Sequence, residues 1–281
     1  MEKPVPVLDE NKIHALALHN ASQFLSLKNR RILEHAQNFT HFAEIVLGAQ
    51  YKKFYREAEL FLKESDLQLL LSFEDEDYPP LLKESDYAPF FLYLKGERAL
   101  IKNSKISIVG SRGPSPMGRK AAASVARYFV AKGCTVVSGI ARGVDSIAHH
   151  TALDAHGQTI AILPNGFNHL YPLENRDLYL RAAEDKNLLF ISEYAPTQKA
   201  AKHHFVRRNR IIAALSMLTV FVEGGIKSGG LITVRHALAE GREVAALTHP
   251  LLLNNAGGEK LIADGALDLS ALIVESNAQT Y

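Results

Sequence analysis

Residues 105–118 read Lys-Ile-Ser-Ile-Val-Gly-Ser-Arg-Gly-Pro-Ser-Pro-Met-Gly. A short β-branched run breaks at glycine, turns through serine and arginine, and meets Ser115-Pro116, a pair suited to cap and open a helix. Gly133 then supplies a helix stop. The same strand–loop–helix rhythm recurs. After Ile106–Val109 come Thr135–Ser138, Thr159–Leu163, Leu188–Ser192, Leu218–Val222 and Glu243–Leu247, all short, rich in Val, Ile and Leu, and separated by helix-sized segments. Asp145 is placed to cap the helix after the second of these strands, and Gly157 to end it. Apolar strands alternating with helices predict a parallel sheet covered on both faces, because a parallel strand can return only through a crossover.

Upstream the pattern changes. From Asn11 to Glu64 apolar residues recur at helical spacing, as in Phe24-Leu25, Leu27 and Ile32-Leu33, with Gly48 the only glycine, which predicts a few short helices. Leu69–Phe73 and Phe90–Leu94 then read as strands on either side of an acidic turn that ends Tyr78-Pro79-Pro80. The chain therefore divides into a small all-α domain over 1–66 and an α/β domain over 67–281, with no internal repeat and no low-complexity segment.

Composition narrows the class. The chain has 281 residues, 47% hydrophobic and 22% charged, which excludes a mainly disordered or collagen-like protein. Lys+Arg number 32 against 30 Asp+Glu, a net +2, so any polyanion partner must be read from local clustering. No apolar run approaches the ~20 residues needed to cross a bilayer, and Met1-Glu2-Lys3-Pro4 lacks a signal-peptide core. A single cysteine, Cys134, excludes an internal disulfide and opens a strand of the predicted core. A soluble cytoplasmic protein without a membrane partner is the expectation.

In such a sheet the loops leaving the strands' carboxyl ends share one edge, where ligands bind. Here they are Gly110-Ser111-Arg112-Gly113, Gly139–Asp145, Pro164-Asn165-Gly166-Phe167-Asn168, Glu193–Pro196 and Glu223–Gly230. Glycine-rich turns alone would serve strand-to-helix geometry. Five of them at one edge, three carrying a cation (Arg112, Arg142, Lys227), point to an anion site. A Rossmann dinucleotide site would want Gly-x-Gly-x-x-Gly and a carboxylate ending the second strand; Gly110-Ser-Arg-Gly113 and Ser138 stand instead. The Walker pattern fails as well, since Lys227-Ser228 follows Ile226.

The most charged stretch, residues 199–210, reads Lys-Ala-Ala-Lys-His-His-Phe-Val-Arg-Arg-Asn-Arg. By itself it could be a solvated face. Its place between the fourth of these strands and Ile211–Leu215 brings it to the same edge as the glycine loops. Cations spread over more than one nucleotide's length, with a ring such as Phe205 or Phe167, suit single-stranded nucleic acid: charges follow phosphates and a ring stacks on a base. Catalytic arrangements find no support. Asp145 and His149 share a helix face without a third metal ligand, and no serine lies in Gly-x-Ser-x-Gly with an assignable base. No cofactor is expected.

These motifs carry a resemblance. Ile108–Arg112, Ser138–Asp145 with Ala148-His149, Ser192-Glu193-Tyr194, Arg208–Ala213 and Lys227–Thr233 stand in the order found in the DprA/Smf family, and the likeness covers residues 67–265. It implies a non-enzymatic protein that binds single-stranded DNA, protects it and loads RecA recombinase on it during natural transformation. It also implies an extended Rossmann-like fold, a homodimer and a sterile-alpha-motif-like N-terminal domain. Carried over by position, Arg112 is the main phosphate contact with Gly110 and Ser111 beside it, Lys202 and Phe205 supply a cation and a ring, Arg208, Asn209 and Arg210 follow, and Lys227 and Ser228 add backbone contacts. Departures exist. Leu173 replaces a lysine found after Tyr-Pro in some relatives, with Arg176 nearby; Val206 follows Phe205 where proline is usual; His249-Pro250-Leu251 and Gly257-Gly258-Glu259 alter the C-terminal turns. With Tyr281 as the last residue, no appended winged helix is expected. The competing reading is a nucleotide phosphoribohydrolase of the lysine-decarboxylase-like group, which would want a glutamate where Leu231 stands.

Overall fold

The computed structural model describes residues 9–22, 27–66, 69–182 and 184–273; Phe24-Leu25, among the apolar positions used above, lie outside them. Two compact units divide at 94/95.

In the first unit the expected helices are α1 (Glu10–Ser22), α2 (Leu27–His35), α3 (Phe39–Leu47) and α4 (Tyr51–Lys63). Asn38 caps α3 by accepting from His41 N–H at 2.8 Å, and Gly48 ends it at φ 50°. Two strands follow, β1 (Leu70–Ser72) and β2 (Phe91–Gly96), paired antiparallel with Leu71 opposite Leu92, and the short α5 (Pro80–Glu84) lies between them. The unit's core is aromatic: Phe42 packs 5.9 Å from Phe90, and Phe39 stacks 6.2 Å from Phe73. The compositional division after residue 66 thus falls inside a compact unit that includes β1 and the paired residues of β2 up to Leu94.

The second unit alternates β3 (Lys105–Val109), α6 (Pro116–Ala131), β4 (Thr135–Ser138), α7 (Val144–Asp154), β5 (Thr159–Leu163), α8 (Arg176–Arg181) and β6 (Leu188–Ser192). It continues through α9 (Lys202–Ala214), β7 (Leu218–Phe221), α10 (Gly230–Ala239), β8 (Glu243–Ala246), α11 (Ala256–Ala263) and β9 (Leu267–Asp268). All these strands pair in parallel in the order β6-β5-β4-β3-β7-β8-β9. The chain builds outward from β3 in one direction to β6, then returns through α9 to the other side of β3. The order therefore reverses between β3 and β7, the topological switch point at which open α/β sheets bind ligands.

Side-chain alternation along β3 separates the two layers. Ile106 and Ile108 pack with Ala121, Ala122 and Val125 of α6 and Val144 and Ala148 of α7. Ser107 faces the other way, its hydroxyl 2.8 Å from the Ile212 carbonyl of α9. Within the described residues no helix is long and apolar enough to cross a membrane.

Two local expectations need correction. Ser115 does cap α6, its hydroxyl accepting from Gly118 N–H at 3.0 Å, and Gly133 follows the helix at φ 76°. Asp145, however, does not cap α7: Gly143 holds that position, and the Asp145 carboxylate reaches back to accept from Gly139 and Ala141 N–H at 3.2 and 3.3 Å. Nor does Gly157 terminate α7, which ends at Asp154 with His156 in the left-handed region at φ 54°. A Cβ at Gly157 would meet the Val130 side chain, so close packing accounts for that glycine.

Candidate nucleic-acid interface

At the switch point the turn after β3 faces the loop after β7. Ser111 N–H donates to the Glu223 carbonyl at 2.7 Å, and Val144 N–H donates to the Ser111 carbonyl at 3.1 Å, which pins the turn between two neighbours. Gly143 makes the close approach possible. It lies at φ 75°, and a Cβ there would come within 2.7 Å of the Arg112 carbonyl. Arg112 is left exposed, with its guanidinium carbon 5.9 Å from the centre of the Phe205 ring. Tyr171 meets the same ring edge-on, centroids 5.3 Å apart. A cation over a ring contributes about 0.5–1 kcal/mol at an exposed site, so it orients the guanidinium without consuming its hydrogen bonds.

A cleft of about 560 Å³ opens here. Of the expected site residues, Gly110, Ser111, Arg112, Phe205, Arg208, Asn209, Lys227 and Ser228 line it. Gly229 and Gly230 bring the amino end of α10 to its wall, where the positive end of the helix dipole favours phosphate, while Leu231 and Ile232 N–H are bonded to the Ser228 and Gly229 carbonyls at 3.1 Å. Lys227 is exposed at the rim.

Arg208 reaches the cleft from below. It is 4% exposed and donates to the carbonyls of Gly139 and Ile162. Burial lowers its pKa to about 10, opposed by the charge of Asp145; burial raises Asp145 in turn, opposed by Arg208. A Cβ at Gly139 would sit 2.6 Å from the guanidinium carbon, so the loop can close on Arg208 only with glycine there. The β-branched Ile140 beside it has φ 57°, a conformation costing roughly 1–3 kcal/mol. It is held by Asn175, whose amide donates to the Ile140 carbonyl at 2.8 Å.

The remaining expected residues lie off the cleft lining. Lys202 is exposed at the first position of α9, on the helix face of Phe205 and Asn209. Arg142 is exposed and pairs with Glu174 at 3.0 Å. Asn165 is buried, donating to the carbonyls of Gly166 and His169 at 2.9 and 2.7 Å. Gly166 lets its loop close on the Ala195-Pro196 backbone, and Phe167 packs against the core around Leu163 and Leu178. Arg210, 5% exposed, is paired with Glu193.

Asp145 and His149 share a helix without bonding each other. His149 lies 2.7 Å from the Thr159 hydroxyl, which donates to the Val136 carbonyl. The hydroxyl proton being committed, His149 donates through Nδ1–H. In the sequence Tyr171 serves only as the landmark before Leu173 and is given no site role; an aromatic beside a proline in a carboxyl-edge loop is the signal that points to one.

Residues 69–275 match the family model for DNA recombination-mediator protein A. The chain is 41% identical to DNA processing protein DprA of Bacillus subtilis over 193 residues, covering 68% of this chain and 64% of that protein. It is 38% identical to protein Smf of Escherichia coli over 202 residues, covering 70% of this chain and 53% of that one. The match thus spans between about half and two thirds of these relatives' length. Among solved structures, DNA processing protein A from Streptococcus pneumoniae superposes with a TM-score of 0.70 at 31% identity, covering 94% of this chain and 92% of that one. DNA processing protein A from Helicobacter pylori, whose structure concerns its single-stranded DNA binding mode, gives 0.65 at 27% identity, covering 74% and 94%. The motifs along the carboxyl edge, the reversal of strand order at β3 and these likenesses agree, and the chain belongs to the DNA recombination-mediator protein A family.

Proposed function

We propose that this protein binds single-stranded DNA along the carboxyl edge of its parallel sheet and, as a homodimer in the cytoplasm, protects incoming DNA and loads RecA recombinase on it during natural transformation. The observation that carries the binding role is the meeting of Arg112 with the Phe205 ring beside the amino end of α10, with Lys227 and Ser228 at the same cleft. Cation, ring and backbone donors together answer the two chemistries every nucleotide offers, a phosphate and a π-face, without reading sequence. Lys202 lies on the same helical face as Phe205 and extends the cationic rim. The Helicobacter pylori relative's single-stranded DNA binding supports the strand as ligand. RecA loading and dimer formation rest on family membership.

Fluorescence anisotropy with labelled oligo(dT) tests the binding role. Arg112→Ala and Lys202→Ala should each weaken binding about tenfold at low salt, about 1.4 kcal/mol, with the thermal melt nearly unchanged. Unchanged titrations for both would remove the site. For loading, RecA assembly on strand coated by a single-strand binding protein should accelerate with the wild type and not with Arg112→Ala.

A further inference from the structure

Between Arg98 and Val144 the chain carries nine Lys and Arg and no Asp or Glu. Arg112 is accounted for by the cleft, Arg142 by Glu174, and Lys105 by its bond to the Asn103 carbonyl at 2.6 Å. Four others belong to one helix: Arg119, Lys120 and Arg127 on α6, and Lys132 at its C-cap. All four are exposed, and among the described residues none is paired with a carboxylate. Lys120 and Arg127, seven residues apart, share one face. Lys132 lies 5.6 Å from the ring centre of Tyr128, itself 38% exposed.

The placement gives this bare helix a direction. Arg112 and α6 are separated only by Gly113, Pro114 and the capping Ser115, whose N–H is held by the Glu223 carboxylate at 2.8 Å. The helix therefore starts at the rim of the cleft and runs its 16 residues, about 24 Å, down the opposite face of the sheet. A stacked single strand advances about 3.4 Å per nucleotide, so this face can accompany roughly seven more nucleotides.

We infer that α6 is a second segment of the nucleic-acid path: a strand seated at Arg112 crosses the sheet's edge and continues along Arg119, Lys120, Arg127 and Lys132, held by its phosphates. The inference rests on the single-stranded DNA reading of the cleft and adds to it where the strand goes next. It commits to a polyanion because four unpaired cations on one helix repel each other until phosphates lie between them.

The test compares oligo(dT) of about 6 and about 25 nucleotides, one near the short end of a single groove's span of about 4–16 nucleotides and one well beyond it. The protein is the full chain carrying Lys120→Gln, Arg127→Gln and Lys132→Gln together; Arg119, nearest the cleft, is left intact. The expected result is unchanged affinity for the short oligomer and about a tenfold loss for the long one at low salt. The slope of log affinity against log salt should also be shallower by about 2 for the long oligomer, from three lost phosphate contacts. Lys120→Arg with Lys132→Arg should retain wild-type binding, which separates charge from folding. Equal affinity of variant and wild type for the long oligomer overturns the inference, as does an equal loss for both lengths. A change of oligomeric state in sedimentation with DNA binding intact would overturn it too, assigning the face to an acidic protein surface. If the wild type binds neither oligomer, the reading of the cleft itself fails.

Discussion

Three arginines that the sequence offers for one site behave as three different chemical objects. Arg112 is exposed and rests on a ring, Arg210 is buried against Glu193, and Arg208 is buried against two carbonyls. Deleting Arg208 would leave those carbonyls unpaired and Asp145 without its compensating charge. Arg208→Ala should therefore cost about 3 kcal/mol in chemical denaturation, against less than about 0.5 kcal/mol for exposed Lys202→Ala. His149 belongs to the same buried layer. Its Nε2 is buried with no partner, and burial, aided by His150 and Arg208, lowers its pKa from 6.5 to about 3. Because the unfolded chain takes up a proton near 6.5 and the folded one only near 3, stability is full above pH 6.5 and is lost as pH falls toward 3. From pH 7 to 5 the loss is about 2 kcal/mol. Asp145, raised by burial, acts in the opposite sense, losing stability as pH rises through its pKa. His149→Gln should therefore flatten the loss between pH 7 and 5 in urea titrations, and an unaltered slope would contradict this assignment.

At the scale of the element, α9 sorts its own cations. Residues 204, 208, 211 and 212 form the buried stripe, while Lys202, Phe205 and Asn209 share the open face. The spacing 204-208-211 was visible in the sequence as a helical period, but two of its members, His204 and Arg208, are polar, so it does not read as an apolar stripe. The loop before α7 is a second element whose shape serves another. Gly143 touches the Arg112 turn, and an added methyl would carry strain at φ 75° as well as displace that turn. Gly143→Ala should cost about 1–2 kcal/mol of stability. It should also weaken oligo(dT) binding beyond what heating alone explains, read as lower affinity well below the melt. A stable variant with wild-type affinity would separate the two loops.

For the whole molecule, charge and topology act together. Residues 1–94 hold 10 Lys+Arg against 15 Asp+Glu, a net −5, whereas residues 95–281 hold 22 against 15, a net +7. The near-neutral total conceals a cationic unit, and that unit contains both the cleft and α6. Local composition also carried much of the fold. Every expected strand of the second unit is present, Thr135–Ser138, Thr159–Leu163 and Leu188–Ser192 to the residue and the others within one residue at one end, because apolar runs bounded by turn residues are a local signal. The same locality makes five of the eight cleft residues legible, since Gly110, Ser111, Arg112, Lys227 and Ser228 sit in loops that follow strands, whereas Phe205, Arg208 and Asn209 stand on α9 inside the basic run. What was not legible is the order of those strands and the partner of each side chain. Sequence alone determined that strands alternate with helices, that glycine loops share an edge, and that this edge is cationic. Only tertiary structure decided that the turn after β3 faces the loop after β7, that Arg208 and Arg210 are internal while Arg112 meets water, and that Tyr171 joins Phe205. Those outcomes depend on contacts between residues far apart in the chain, where burial and crossover direction override local preference.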